Sequence, residues 1–116
     1  MENNAIVVKS KAFALRTIKL YKYLINNHRI SPVANQILKS GTSIGANIRE
    51  AIRAQSKPDF YSKLNIALKE ASETEYWLEL LYESEYISSG QFNSIHNDCE
   101  EIIKILVSIT KTQKNL

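Results

Sequence analysis

Turn-forming residues are scarce in this chain: its 116 residues include three glycines and two prolines. An average globular chain carries roughly 12 per hundred. A β-sandwich needs a turn every 8–12 residues, most of them marked by Gly, Pro, Asn or Asp. Five such breakers cannot serve seven strands, so long helices must dominate. The same length is too short for a (β/α)₈ barrel, or for a dinucleotide-binding fold with a separate substrate domain. One domain spanning residues 1–116 is the expectation.

Other absences narrow the chemistry. The single cysteine, Cys99, allows no intramolecular disulfide and points to a reducing cytoplasm. It falls on the apolar seam of a helix, where a thiol is buried and inert rather than nucleophilic. The longest apolar-rich stretch, Ile102–Ile109, is broken by Lys104, so neither a membrane span nor a cationic-then-apolar leader is expected. The glycines are too dispersed to cradle a phosphate. Only two histidines occur, His28 and His96, and neither is joined to a Ser or Cys motif. Neither follows a Glu by three residues, so a ferritin-like pair of metals would lack its imidazoles even with Glu50, Glu70 and Glu73 as carboxylates. The reading is no enzyme, with no catalytic residue, no metal and no cofactor.

What is present is an uneven distribution of charge. The formal net charge is +3. Residues 1–57 hold ten Lys and Arg against Glu2 and Glu50, a net +8, while the remainder is −5. Such a division fits a basic surface for a polyanion, or charge pairing between halves or subunits.

Four helices follow from periodicity and stop signals, at about residues 5–29, 32–54, 58–86 and 90–111. In the first, Val7, Ala14, Ile18, Tyr21 and Ile25 form one apolar row, with Phe13, Leu20 and Leu24 beside it. At 100° per residue the rows merge into an arc of roughly 160°. That is wider than one core contact needs, and it points to a second, intermolecular one. Only Ala5–Val8 reads as strand-like, and it runs straight into this helix.

Ser31-Pro32, Ser56-Lys57-Pro58-Asp59 and Ser88–Gln91 mark the later starts. The second helix offers an apolar seam of Leu38, Gly41, Gly45, Ile48 and Ile52. A polar row of Ser40, Ser43, Asn47 and Glu50 lies beside it, and an outer row of Lys39, Thr42, Ala46, Arg49 and Arg53 completes the wheel. The two glycines read as points of close helix approach. The alternative is a helix-turn-helix with its turn at Gly41-Thr42-Ser43.

On the third helix the core face is Phe60, Leu64, Ala67, Leu68, Ala71, Leu78 and Tyr82, with Glu70, Glu73 and Trp77 on a separate flank. These carboxylates are expected to meet the Ser43–Asn47–Glu50 row as a structural network, or a basic side chain from another subunit. The fourth helix has a heptad rhythm: Phe92, Ile95, Cys99, Ile102, Leu106, Ile109. Short connections force antiparallel neighbours, so the fold class is all-α, an up-down-up-down four-helix bundle. Trp77, Tyr76, Tyr82 and Tyr86 cannot all be internal in so small a bundle, which again points to a homo-oligomer.

Candidate nucleic-acid contacts are the basic residues of helices one and two: Lys11, Arg16, Lys19, Lys22, Lys39, Arg49 and Arg53. The aromatics lie mostly in the acidic half, so phosphate contact is the expected mode rather than base stacking. A protein–protein scaffold with no nucleic acid is the competing reading.

The run Ser43-Ile44-Gly45-Ala46-Asn47-Ile48-Arg49-Glu50-Ala51 resembles a known family. The likeness continues through Asp59-Phe60, Lys63-Leu64, Ile66–Ala71, Glu73-Thr74 and Trp77-Leu78. It is the bacterial four-helix-bundle family named for proteins encoded in 23S rRNA intervening sequences. The sequence is similar, too, to the accessory variability-determinant proteins of diversity-generating retroelements. The resemblance covers about residues 8–110. It implies a ring-shaped homopentamer with basic surfaces and, for the retroelement relatives, binding to RNA or DNA and to a reverse transcriptase. The motif positions it carries over are Ser43, Asn47, Glu50, Glu70, Glu73 and Trp77, as structural or interface residues. Ala51 departs from the pattern, since many members have glycine there. That bears on the approach of a neighbouring helix and not on the fold.

Overall fold

Helix α1 occupies Asn4–Tyr23 and passes into a π-helical turn at Leu24–His28; α2 is Pro32–Ile52, α3 Lys57–Glu83 and α4 Ser89–Gln113. These come from a computed structural model in which residues 4–113 are described. No strand occurs among the described residues, and Ala5–Val8 is helical. Helix α2 runs unbroken through Gly41 and Gly45, which removes the helix-turn-helix alternative.

Cross-contacts show that neighbours are antiparallel around the bundle. Thr17 and Ser10 of α1 meet Gly41 and Gly45 of α2. Ser40 and Glu50 of α2 meet Thr74 and Lys63 of α3. Ala71 and Glu75 of α3 meet Cys99 and His96 of α4. Arg16 and Lys9 of α1 close the circuit on Asp98 and Glu101. The result is a four-helix bundle about 47 Å long and 20 Å across.

Local chemistry explains the helix ends. At α3, Ser56 Oγ accepts from the Asp59 amide at 3.2 Å, and Asp59 Oδ2 accepts from the Gln55 amide at 3.4 Å. At α4 the reciprocal capping box forms as expected. The Gln91 amide donates to Ser88 Oγ at 3.1 Å, and the Ser88 amide donates to Gln91 Oε1 at 2.8 Å. Ser31, by contrast, makes no side-chain cap; only its carbonyl serves α2, accepting from the Asn35 amide. Helix α3 stops at Glu83, short of Tyr86. Glu85 adopts φ 67°, and the amides of Glu85 and Tyr86 return to the carbonyls of Tyr82 and Leu81. This is a Schellman termination with Glu where glycine is usual.

The core differs from the expected faces in three places. Along α1 and its π-helical turn the buried line is Ile6, Ser10, Phe13, Thr17 and Leu24, while Val7, Ala14, Tyr21 and Ile25 are half-buried and Ile18 is exposed. On α2 the seam is Ala34, Ile37, Ser40, Gly41, Ile44, Ile48 and Ala51, rotated by roughly 60° from the Leu38–Gly45–Ile52 line. On α3, Tyr82 is exposed and stacks on Phe92 at 4.7 Å, while Thr74 and Leu81 are buried.

One cause covers α1 and α2. Buried hydroxyls there are satisfied at short range, so Ser and Thr take core positions at little cost. Thr17 donates to the Phe13 carbonyl at 2.9 Å and Ser10 to the Val7 carbonyl at 3.2 Å. Ser40 and Thr74 are hydrogen-bonded to each other at 2.8 Å. Helix α4 keeps its heptad seam: Ile95, Cys99, Ile102 and Leu106 are buried, and Phe92 and Ile109 pack at its edge.

Candidate nucleic-acid interface

Of the seven basic candidates, six are exposed and Arg16 is half-buried. They do not form one continuous face. Lys11 and Arg49 come together from α1 and α2 across a groove of about 270 Å³, which Val7, Ala14, Gly45 and Ala46 also line. Arg49 continues into an adjoining surface with Arg53 and Lys63, where Glu50 and Asp59 are interspersed. Arg16 and Lys19 instead flank the α1–α4 groove, about 350 Å³, with Leu20, Tyr23, Ile87 and Ile95. Arg16 is committed there: it donates to Asp98 Oδ2 at 2.6 Å and to Ser94 Oγ at 2.9 Å. Lys39 lies on the α3 side of α2, where its charge acts on Glu70. Lys22 is exposed on α1.

Part of the charge asymmetry is thus used inside the single chain. Lys9–Glu101 and Arg16–Asp98 join the basic α1 to the acidic α4. Among the exposed basic side chains, Lys11 and Arg49 sit where α1 and α2 face outward together, and Arg53 adjoins Arg49. Beside them α1 carries exposed apolar groups, Val8 at 65% and Leu15 at 58% exposure.

The motif residues lie along the α2–α3 seam, but the expected network between their two rows does not form. Ser43 Oγ donates to the Lys39 carbonyl at 2.7 Å, and Asn47 Nδ2 donates to the Ser43 carbonyl at 2.8 Å. Trp77 Nε1 donates to Glu73 Oε1 at 3.3 Å. Each bond stays within its own helix: Ser43 and Asn47 reach the backbone carbonyl four residues back, and Trp77 reaches the carboxylate four residues back. The links between α2 and α3 include Ser40–Thr74 and a 3.1 Å ion pair of Glu50 with Lys63. Glu70 is left close to Glu73. Desolvation, and then the Glu73 charge, push its pKa up, with Lys39 and Lys69 opposing.

A second cluster was not legible in the sequence. His96 Nε2 lies 3.1 Å from Glu75 Oε2, and Nδ1 lies 3.0 Å from Glu100 Oε1. The ring stacks on Phe92 at 4.7 Å. Glu79, one turn beyond Glu75, completes a set whose ligand atoms all lie within 4.8 Å of one another. Its one sequence signal is the four-residue spacing of Glu75 and Glu79; His96 joins them only through the register of α3 on α4.

The family model of the 23S rRNA-intervening sequence proteins matches residues 2–108. The chain belongs to that family. A crystal structure from Bacteroides thetaiotaomicron, of a protein of unknown function in the S23 ribosomal protein family, is 59% identical to this intervening-sequence protein. The likeness covers 91% of this chain and 98% of that one, with a TM-score of 0.91. No curated protein sequence matches. The family resemblance read from Ser43–Ala51 and Ile66–Leu78 is thus borne out. No helix among the described residues is long and apolar enough to cross a membrane.

Proposed function

We propose that this intervening-sequence protein is a non-enzymatic, self-associating helical bundle that binds the phosphate backbone of RNA or DNA through the outward surface of α1 and α2. The observation that carries the reading is the convergence of Lys11 and Arg49, from different helices, on one open groove that Arg53 extends. Two cations flanking a floor of small residues can straddle a phosphate backbone at close approach. Base-specific readout is not part of the reading, because no aromatic side chain lines that groove.

Self-association supports the same surface. Val8 and Leu15 sit seven residues apart on α1 and stay exposed, and Ile18 continues the stripe at 37% exposure. A second copy packed beside that stripe would bring the basic side chains of two chains together and raise affinity for a long polyanion. The homopentameric ring belongs to this proposal, as does a reverse transcriptase as protein partner.

Fluorescently labelled RNA titrated at several salt concentrations tests the binding. Log affinity should fall linearly with log salt, with a slope of about −0.7 per phosphate neutralised on a single strand. Lys11→Glu with Arg49→Glu should weaken binding to every sequence, whereas Arg16→Glu should act chiefly on stability. An absence of binding at low salt, or binding indifferent to the double reversal, overturns the assignment. In that event the exposed stripe on α1 favours a protein–protein scaffold. Light scattering then separates the two parts: a monomer at micromolar concentration rejects self-association as well.

A further inference from the structure

The Glu75–Glu79–His96 cluster lies in the acidic half, on the α3–α4 seam, and the proposed nucleic-acid surface does not use it. Its geometry poses a charge problem. Glu100 Oε1 is 3.0 Å from Nδ1 of His96, and Glu75 Oε2 is 3.1 Å from Nε2. A neutral imidazole has one N–H and one lone pair. With the N–H at Nδ1 donating to Glu100, the Nε2 lone pair faces a carboxylate oxygen at hydrogen-bond distance. That arrangement repels unless a cation stands between them. A proton can fill the gap, giving an imidazolium held by two carboxylates, and so can a metal ion.

Glu79 distinguishes the two occupants. A proton between Nε2 and Glu75 needs no third group. Yet the Glu79 carboxylate lies in the same 4.8 Å set as the other two ligand atoms and, among the described residues, takes part in no hydrogen bond or ion pair of its own. Three carboxylates, Glu75, Glu79 and Glu100, surround one imidazole, so even the protonated ring leaves the cluster at net −2. A dication in place of that proton lowers the residual charge to −1. We propose that Glu75, Glu79 and His96 Nε2 bind one divalent first-row transition ion of the zinc type, with Glu100 orienting the imidazole from behind.

The donor set selects this class. One imidazole nitrogen with two carboxylates suits zinc-like ions, whereas magnesium and calcium prefer oxygen alone. A carboxylate on the far ring nitrogen fixes the tautomer that leaves Nε2 free to ligate. Ligands come from α3 and α4, so the ion would clamp the acidic hairpin. Cys99 is excluded as a ligand, since its thiol is turned to the Ala71 carbonyl at 3.4 Å.

Calorimetric titration of zinc chloride into tag-free, chelator-stripped protein tests the site. One ion per chain is expected, with an upward shift of the thermal midpoint; magnesium chloride should give neither. Glu79→Gln leaves the His96 bridge and the fold intact, and it should weaken zinc at least tenfold. Glu100→Ala should weaken it about 10–100-fold. Cys99→Ser should bind zinc as the parent does. A stripped chain that takes up no zinc at millimolar concentration overturns the proposal. So does zinc binding that is indifferent to Glu79→Gln, or that is lost in a folded Cys99→Ser variant.

Discussion

A β-carbon placed on Gly41 would lie 2.6 Å from both Cγ2 and Oγ1 of Thr17, whereas one placed on Gly45 would meet Ser10 at an ordinary 3.5 Å. The two glycines, four residues apart on one helix, therefore do different things. Thr17 is fully buried and its hydroxyl is committed to the Phe13 carbonyl, so it has nowhere to move. Gly41→Ala should destabilise the bundle by about 1–3 kcal/mol through overpacking. Gly45→Ala should stabilise it by up to about 1 kcal/mol, since alanine favours the helix and nothing opposes its methyl. Urea unfolding of the two variants checks the sign of each; equal effects would contradict the register of α1 on α2.

The Ser40–Thr74 pair gives an asymmetric expectation. Thr74 Oγ1 is 2.8 Å from the Glu70 carbonyl as well as 2.8 Å from Ser40 Oγ, and one hydroxyl has one proton. With that proton on the carbonyl, Ser40 supplies the proton between the hydroxyls. Thr74→Val then strands a buried Ser40 donor and should cost about 1–3 kcal/mol. Ser40→Ala removes a donor whose partner still has the carbonyl, and it should cost less. The double variant should be more stable than the sum of the two losses, a coupling that a thermodynamic cycle measures directly.

These two contacts also show what the sequence could and could not disclose. Helix number, starts and the α4 seam follow from local rules: the Ser88–Gln91 box and the heptad through Cys99 need no tertiary information. Ser40 reads as polar because its partner, Thr74, is 34 residues away. Residue type puts it on an outer face, and only the register of α2 on α3 returns it to the core. The α3 terminus is hidden for a different reason, since Glu85 takes the left-handed position with no glycine to announce it. The candidate basic surface is half legible. Charge counting finds Lys11, Arg16 and Arg49 alike, but the fold commits Arg16 to Asp98 and brings Lys11 to Arg49.

Cys99 should resist thiol reagents in the folded protein. Burial, followed by the nearby charges of Glu75, Glu100 and Asp98, pushes its pKa up to about 12. At neutral pH almost no thiolate exists, and the side chain is fully enclosed. A colourimetric disulfide reagent should therefore label it only at the rate of unfolding, with full and rapid labelling in denaturant. Prompt labelling of the native chain would mean that the α3–α4 seam opens far more readily than its packing indicates.

Glu70 sets a pH dependence of the opposite kind from a paired carboxylate. Its pKa is raised in the folded chain, by desolvation first and the Glu73 charge second. The folded state therefore binds this proton more tightly than the unfolded chain, which titrates near 4.3. Its contribution to stability is fully present below that unfolded value and is lost as pH rises through the raised folded value. Glu70→Gln, which never ionises, should escape this loss. Its urea midpoint should exceed that of the parent at neutral pH, and the gap should close on acidification as Glu70 takes up its proton. A gap constant across the carboxylate range would place the effect in packing, and one of opposite sign would mean that Lys39 and Lys69 outweigh Glu73 at this site.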